Sequence, residues 1–232
     1  GAPGHAYWQQ RADYKIDVRL DEDEQMVYGE ETIDYFNRSP DRLPYLWLQL
    51  DQNIRAKHSD ANAIEQKKID DRMTFDSFRD LVPWFEGGFQ IEYVRDTRGN
   101  DLPYTINGTM MRVDLPSPVV PNGGTSLKIK WHYRINDRMK IGGRSGYEMF
   151  EDENNAIYTI AQFYPRMVVY DDHNGWQHKQ FLGNGEFTLT FGNFDVRITV
   201  PSDHILGATG ELQNAKDVLT AEQRDRLQRA TN

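Results

Sequence analysis

The strongest constraint on this chain is an alternation of apolar and polar side chains with a period of two. Residues 14–20 put Tyr14, Ile16, Val18 and Leu20 on one face and Lys15, Asp17 and Arg19 on the other. A helix would scatter those apolar positions around its circumference, whereas a half-buried strand collects them on one side. The acidic stretch Asp21-Glu22-Asp23-Glu24 then turns the chain, and residues 26–36 resume strand character, so the two runs read as a hairpin. The same stretch lacks the Gly and the distal Glu of a calcium loop and reads as a solvated turn.

Further runs follow the pattern. Residues 43–50 read as a third strand, with Leu46, Leu48 and Leu50 alternating against Trp47 and Gln49. Residues 89–94 read as a strand that Thr97-Arg98-Gly99-Asn100 turns back into residues 102–106. Asn107-Gly108 is the clearest hairpin signal, because both residues tolerate positive φ, and residues 110–115 pair back across it. Asn107-Gly108-Thr109 also spells a glycosylation sequon, but the hairpin explains it better. Residues 116–124 form a Pro/Gly loop, and 127–135 make a clean amphipathic strand, followed by 157–161, 187–191 and 194–200. The Gly pairs at 87–88, 123–124 and 142–143 read as hairpin turns. Residues 60–71 suit a short surface helix, residues 75–78 are ambiguous, and Trp84 and Phe85 suit core packing or burial against another domain.

About ten strands separated by frequent turns imply an all-β fold. The expected architecture is an antiparallel β-sandwich or saddle-like domain with minor surface helices and a C-terminal helical tail. In that tail Thr220 is placed as N-cap, with Gln223 as its capping-box partner three residues on. The expected division is a β domain over residues 1–212 and a linker with helical tail over 213–232, leading toward a further domain.

Composition excludes several functions. A formal charge of −9 argues against nucleic-acid binding, which needs a cationic face. The sequence has no apolar run long enough to span a membrane. It has no Cys, which removes disulfides and thiolate metal sites. The opening Gly1-Ala2-Pro3-Gly4 reads as a linker rather than a signal peptide. With 12 Tyr, 11 Phe and 5 Trp, the 232 residues carry too much aromatic surface for a disordered chain.

Catalytic motifs are missing as well. The six His residues are followed by Ala6, Ser59, Tyr133, Asn174, Lys179 and Ile205, so no His-Glu-x-x-His zinc helix exists. The sequence contains no nucleophile elbow and no phosphate loop. The densest polar cluster, residues 171–178, holds Asp171, Asp172, His173 and His178. Its spacing matches no metal motif, and a tight loop with Asp and Asn bonding their own backbone accounts for it. Neither catalytic nor metal-ligating residues are therefore expected in this chain.

Several stretches, taken in order, carry a resemblance. They are residues 7–18, residues 29–40, Leu46-Trp47-Leu48-Gln49-Leu50, residues 185–201 and Gly207-Ala208-Thr209-Gly210-Glu211-Leu212. Together they resemble the N-terminal β domain of bacterial members of the aminopeptidase N family of zinc metallopeptidases. The resemblance covers nearly the whole chain and is weakest over residues 60–85. It implies that the catalytic motifs and the zinc belong to a catalytic domain absent from this sequence, which would be this chain's own partner. It also implies that this domain caps the active site and helps to bind the N-terminus of a peptide substrate. In the family a strand of this domain ends in a Gln or Glu that binds the substrate's free α-amine. Tyr158-Thr159-Ile160-Ala161-Gln162 is the matching place, so Gln162 takes that role, the alternative being a Gln that bonds backbone at a sheet edge. Pro165, Arg166, Tyr170 and Asp172 are then the loop that docks on the catalytic domain. Where many members have an Arg-rich stretch ending in Phe-Pro-Cys, this chain has residues 163–172, which leaves specificity open. The resemblance implies a periplasmic or secreted protein, the other compartment being the cytoplasm. Two other classes remain: a stand-alone ligand- or carbohydrate-binding β-sandwich, and the scaffold domain of an inactive peptidase homologue.

Overall fold

The computed structural model describes residues 4–64, 74, 85–153, 155–185 and 187–230. Strands dominate it, so the fold is all-β. The chain divides into two compact units, Gly1–Pro201 and Ser202–Asn232.

In the first unit, β1 (Arg11–Asp21) and β2 (Met26–Phe36) form the expected hairpin, in register from Arg11 opposite Phe36 to Asp21 opposite Met26. Asp21 accepts from the Glu24 N–H at 3.2 Å, so the acidic stretch is a turn. The next elements are β3 (Leu43–Gln49), a 3-10 turn over Asp51–Arg55, α1 (Asp60–Ile64), β4 (Gln90–Arg95), β5 (Tyr104–Asn107), β6 (Met110–Val119) and β7 (Gly124–Arg134). They are followed by α2 (Arg138–Ile141), β8 (Gly146–Phe150), β9 (Asn155–Thr159), β10 (Arg166–Met167), β11 (Tyr170–Asp171), β12 (Gly175–Trp176) and β13 (Phe194–Thr199). One sheet has the order β13-β1-β2-β7-β4 and a second the order β10-β3-β6-β5, while β8-β9 and β11-β12 are separate two-stranded ribbons.

Both larger sheets contribute to one core. Ile16, Val18, Ile33, Leu127, Ile129 and Trp131 of the first sheet and Leu46, Leu48, Met111 and Val113 of the second are all buried in it. The alternation is strictest on β2, where Val27, Gly29, Glu31, Ile33 and Tyr35 all face inward. Gly29 is needed there because a Cβ at that position would collide with the indole ring of Trp131 on the neighbouring strand.

The structure corrects several sequence expectations. Residues 89–94 and 102–106 do not make a hairpin, since β4 joins the first sheet and β5 the second. The chain crosses between them after a single bridge, Arg95 opposite Asp101. The Pro/Gly loop is shorter than residues 116–124 because β6 continues to Val119. Pro116 and Pro118 fit because they lie where the β3–β6 register shifts, between Leu43 and Tyr45 on the partner strand, and no regular ladder needs their missing N–H groups. Residues 187–191 form no strand and keep only isolated bridges through Leu189 and Phe191. β13 pairs with β1 in parallel, which a long connection permits and a hairpin does not. The 107–110 hairpin is present, but positive φ is confined to Gly108 at +56°, so Gly108 and Thr109 form its loop. Gly142 at φ +75° caps α2 instead of turning a hairpin, and Gly87 and Gly88 lead into β4. The predicted helix over 60–71 is described only as far as Ile64. Residues 75–78 and Trp84 lie outside the described residues, and Phe85 is half-buried.

The second unit carries α3 (Ala215–Val218) and α4 (Ala221–Ala230). The capping box of α4 is formed: Thr220 N–H donates to Gln223 Oε1 at 2.8 Å and Gln223 N–H to Thr220 Oγ1 at 3.2 Å. Glu222–Arg226 and Asp225–Arg229 pairs brace its surface at spacing i, i+4.

The Gly29–Trp131 contact yields a stability prediction. Gly29→Ala should lower unfolding free energy by about 1–3 kcal/mol, the usual cost of overpacking a filled core. Urea denaturation measures it, and an unchanged midpoint would show that the indole does not occupy that space.

Candidate functional site

Between β9 and β10 the chain makes an irregular excursion, residues 160–165, that Trp131, Ser145 and Gln52 tie to the body, while Tyr14 holds β10 just beyond it. The Trp131 indole N–H donates to the Phe163 carbonyl at 3.0 Å. The Met167 N–H donates to the Tyr14 hydroxyl at 2.9 Å. The Ala161 N–H donates to Ser145 Oγ at 3.0 Å, and that hydroxyl lies 3.2 Å from the Thr159 carbonyl and 3.3 Å from that of Ala161. Gln52 Nε2 donates to the Ala161 carbonyl at 2.9 Å and to the Gln162 carbonyl at 3.1 Å.

Gln162 sits at the apex with φ +54°. A left-handed conformation at a residue with a Cβ costs about 1–2 kcal/mol, so the surrounding bonds have to hold it there. Gln162 is half-buried. Among the described residues its side-chain amide has no hydrogen-bond partner, while its main-chain carbonyl is the group bonded to Gln52. It therefore does not bond backbone at a sheet edge. β9 ends at Thr159, three residues before it.

Beneath this excursion the charges are placed with little solvent. The Asp51 carboxylate has no solvent exposure and accepts from Arg166 Nε at 2.8 Å and Arg166 Nη2 at 2.6 Å, a bidentate pair. Gln49 Nε2 adds a third bond to Asp51 at 2.7 Å. Glu31 is also buried, and among the described residues neither of its carboxyl oxygens has a partner. Burial holds its pKa well above the usual carboxylate range. Burial also raises the Tyr14 phenol, with Glu31 adding to the rise, and pushes Tyr164 up to about 12. Arg55 is half-buried, and desolvation lowers its pKa.

The remaining residues singled out in the sequence occupy different environments. Pro165 is buried, and the Arg166 guanidinium is committed to Asp51. The Tyr170 hydroxyl donates to Asp41 Oδ2 at 2.7 Å, and its ring stacks on Trp8 at 5.8 Å. Burial first, then the Asp41 carboxylate, pushes its phenol up to about 12. Asp172 is exposed in the turn between β11 and β12. In that turn Asp171 Oδ1 accepts from the His173 and Asn174 N–H groups at 3.0 and 2.7 Å, the self-bonded loop expected of residues 171–178. The His178 ring stacks on Trp47 at 4.8 Å. Among the described residues no three His, Asp or Glu side chains converge on one point.

Sequence reading missed Gln52, Arg55, Ser145 and Glu31. Glu31 carried a signal, because the alternation of β2 places it on the inward face between Gly29 and Ile33. The other three lie outside any periodic segment, where residue type does not report burial.

Comparison with known proteins gives a faint likeness. No family model matches the chain, and no curated protein matches it. Among solved structures it is similar to an M1 zinc metallopeptidase from Deinococcus radiodurans, at 14% identity and a TM-score of 0.39. A mutant of that protein bound to a Tyr-Ser-Ala substrate gives the same identity and TM-score. A two-domain M1 zinc metallopeptidase mutant bound to L-arginine gives 13% identity and a TM-score of 0.39. Each match covers 88% of this chain, which spans about a third (36%) of those chains. At that TM-score the likeness decides neither function nor ligand. Among the described residues no helix is long and apolar enough to cross a membrane.

The buried Glu31 makes a pH prediction. A denatured chain ionises Glu near pH ~4.3, and the folded chain only at higher pH. Between those values unfolding releases a proton, so this group makes stability fall as pH rises. Glu31→Gln should flatten that fall, and Glu31→Leu should raise stability at neutral pH by about 1–3 kcal/mol. Denaturation followed from pH 4 upward checks both, and a wild-type slope in Glu31→Gln would contradict the assignment.

Proposed function

We propose that this chain is the non-catalytic N-terminal domain of a zinc-dependent aminopeptidase-like metallopeptidase. In this reading it caps the active site and binds the free amine of the substrate through Gln162. The observation that carries it is the Gln162 turn, a strained left-handed residue whose side-chain amide has no partner among the described residues, fixed by buried hydrogen bonds. Strain of this kind persists where the surroundings over-determine it, and such places are frequently binding sites. The amide oxygen can accept a hydrogen bond from an ammonium group. The sequence resemblance assigns the same residue the same role. This chain's contribution is positioning rather than bond chemistry. Zinc and its ligands would belong to the catalytic domain.

Residues 165–172 would be the part that meets the catalytic domain. Of the four residues assigned to docking, Asp172 is the most exposed, while Pro165 and Arg166 shape the segment from inside. The resemblance favours a periplasmic or secreted protein.

A second reading, a stand-alone ligand-binding domain, is favoured by one feature. A cleft of about 260 Å³ is lined by Tyr7, Trp8, Tyr170 and Phe191 together with Asp172 and Thr190, and among the described residues the buried Thr190 hydroxyl has no partner.

One variant tests the role given to Gln162. Gln162→Ala in the full-length gene product should lower kcat/KM for aminoacyl substrates about 10–100-fold, the worth of a hydrogen bond to a charged group. Unchanged kinetics would remove Gln162 from amine binding and leave the cleft as the site to pursue.

A further inference from the structure

We propose that Gln52 and Ser145 are the positioning residues of the Gln162 turn, with Arg55 fixing which way the Gln52 amide points. The inference rests on the amine-binding reading and names the residues that set its geometry.

The Gln52 amide is buried, and both ends of it are hydrogen-bonded. Its two N–H groups serve the carbonyls of Ala161 and Gln162, and its oxygen accepts from Arg55 Nη1 at 2.9 Å. Reversing the amide would set its NH₂ against a guanidinium and its oxygen against two carbonyl oxygens, so one orientation is allowed. In an extended strand successive carbonyls point to opposite sides, so a single donor group cannot reach both. A left-handed residue at Gln162 brings them to the same side, where one NH₂ does reach both. Gln52 thus excludes the extended conformation at Gln162, and the turn so held, left-handed at φ +54°, sets the direction in which the Gln162 side chain leaves the backbone.

Ser145 closes the arrangement from the other side. Its hydroxyl accepts from the Ala161 N–H, so both polar groups of that peptide unit's residue are engaged. Arg55 Nη2 also lies 3.4 Å from the Ser145 carbonyl, which links the two clamps through one guanidinium. The charge logic makes a specific demand on position 52. A Glu there would gain an ion pair with Arg55 but would face two carbonyl oxygens with a carboxylate, so it should fail as badly as an apolar residue.

The test uses the full-length gene product and compares inhibition by an amino-acid amide with inhibition by its desamino analogue. The ratio of the two inhibition constants isolates the amine contact, whereas general loosening of the fold weakens both inhibitors together. Gln162→Ala should collapse the ratio about tenfold or more. Gln52→Leu and Gln52→Glu should do the same, and Ser145→Ala, which removes a single hydroxyl, should reduce it severalfold and remains informative should the Gln52 variants fold poorly. If Gln162→Ala leaves the ratio intact, the amine-binding reading fails and this inference fails with it. If Gln162→Ala collapses the ratio while folded Gln52 variants, or Ser145→Ala, keep it, the positioning inference alone is overturned.

Discussion

Three consecutive polar residues, Asp51-Gln52-Asn53, are buried in the turn that follows β3, and the surrounding structure is organised by the need to satisfy them. A buried polar group without a partner costs about 1–3 kcal/mol, and a buried charge costs more. Each residue meets that demand with a different segment. Asp51 takes the Arg166 guanidinium at the start of β10. Gln52 takes the carbonyls of Ala161 and Gln162. Asn53 donates to the Gly108 carbonyl at 2.9 Å and accepts from the Phe89 N–H at 2.8 Å. A five-residue turn therefore fixes the β5–β6 hairpin, the approach to β4 and the excursion that carries the candidate site.

The core supports the same excursion from below. Trp131 fills the space that Gly29 leaves open and reaches the Phe163 carbonyl with its indole N–H. Tyr14, itself stacked on Phe194 at 4.7 Å, holds the Met167 N–H. Apolar packing sets the positions of these rings, and their single polar atoms pin the irregular backbone above them. Glu31 stands apart in this arrangement. It takes an inward position on β2 that the alternation would give to an apolar residue, and it finds no hydrogen bond there among the described residues.

Strand content was legible in the sequence because it rests on a local period. Tyr14, Ile16 and Val18 announced β1, the Thr220–Gln223 box announced the tail helix, and both formed. Pairing was less legible, since it is a non-local choice. Nothing near residues 97–106 shows that β4 and β5 enter different sheets, and nothing in residues 194–199 shows that β13 will run parallel to β1. At the candidate site, Gln162 was found through resemblance to a family, and the structure added its left-handed backbone. Asp51, Gln52 and Asn53 were invisible because three polar residues after a strand have the composition of a surface turn. Their burial comes from what folds over them, more than 100 residues later in the case of Arg166 and Gln162.

Residues 160–165 are a clamped part of the body and not a surface loop. Native-state hydrogen exchange at the Ala161 amide tests it most directly, because that N–H lies outside every strand and depends on the Ser145 hydroxyl. This amide should exchange within about tenfold of the slow amides of β2 and β7, as expected for a segment that opens with the core. Exchange at the rate of an open loop would show that the buried hydrogen bonds do not hold the turn, and the geometry ascribed to Gln162 would lose its basis.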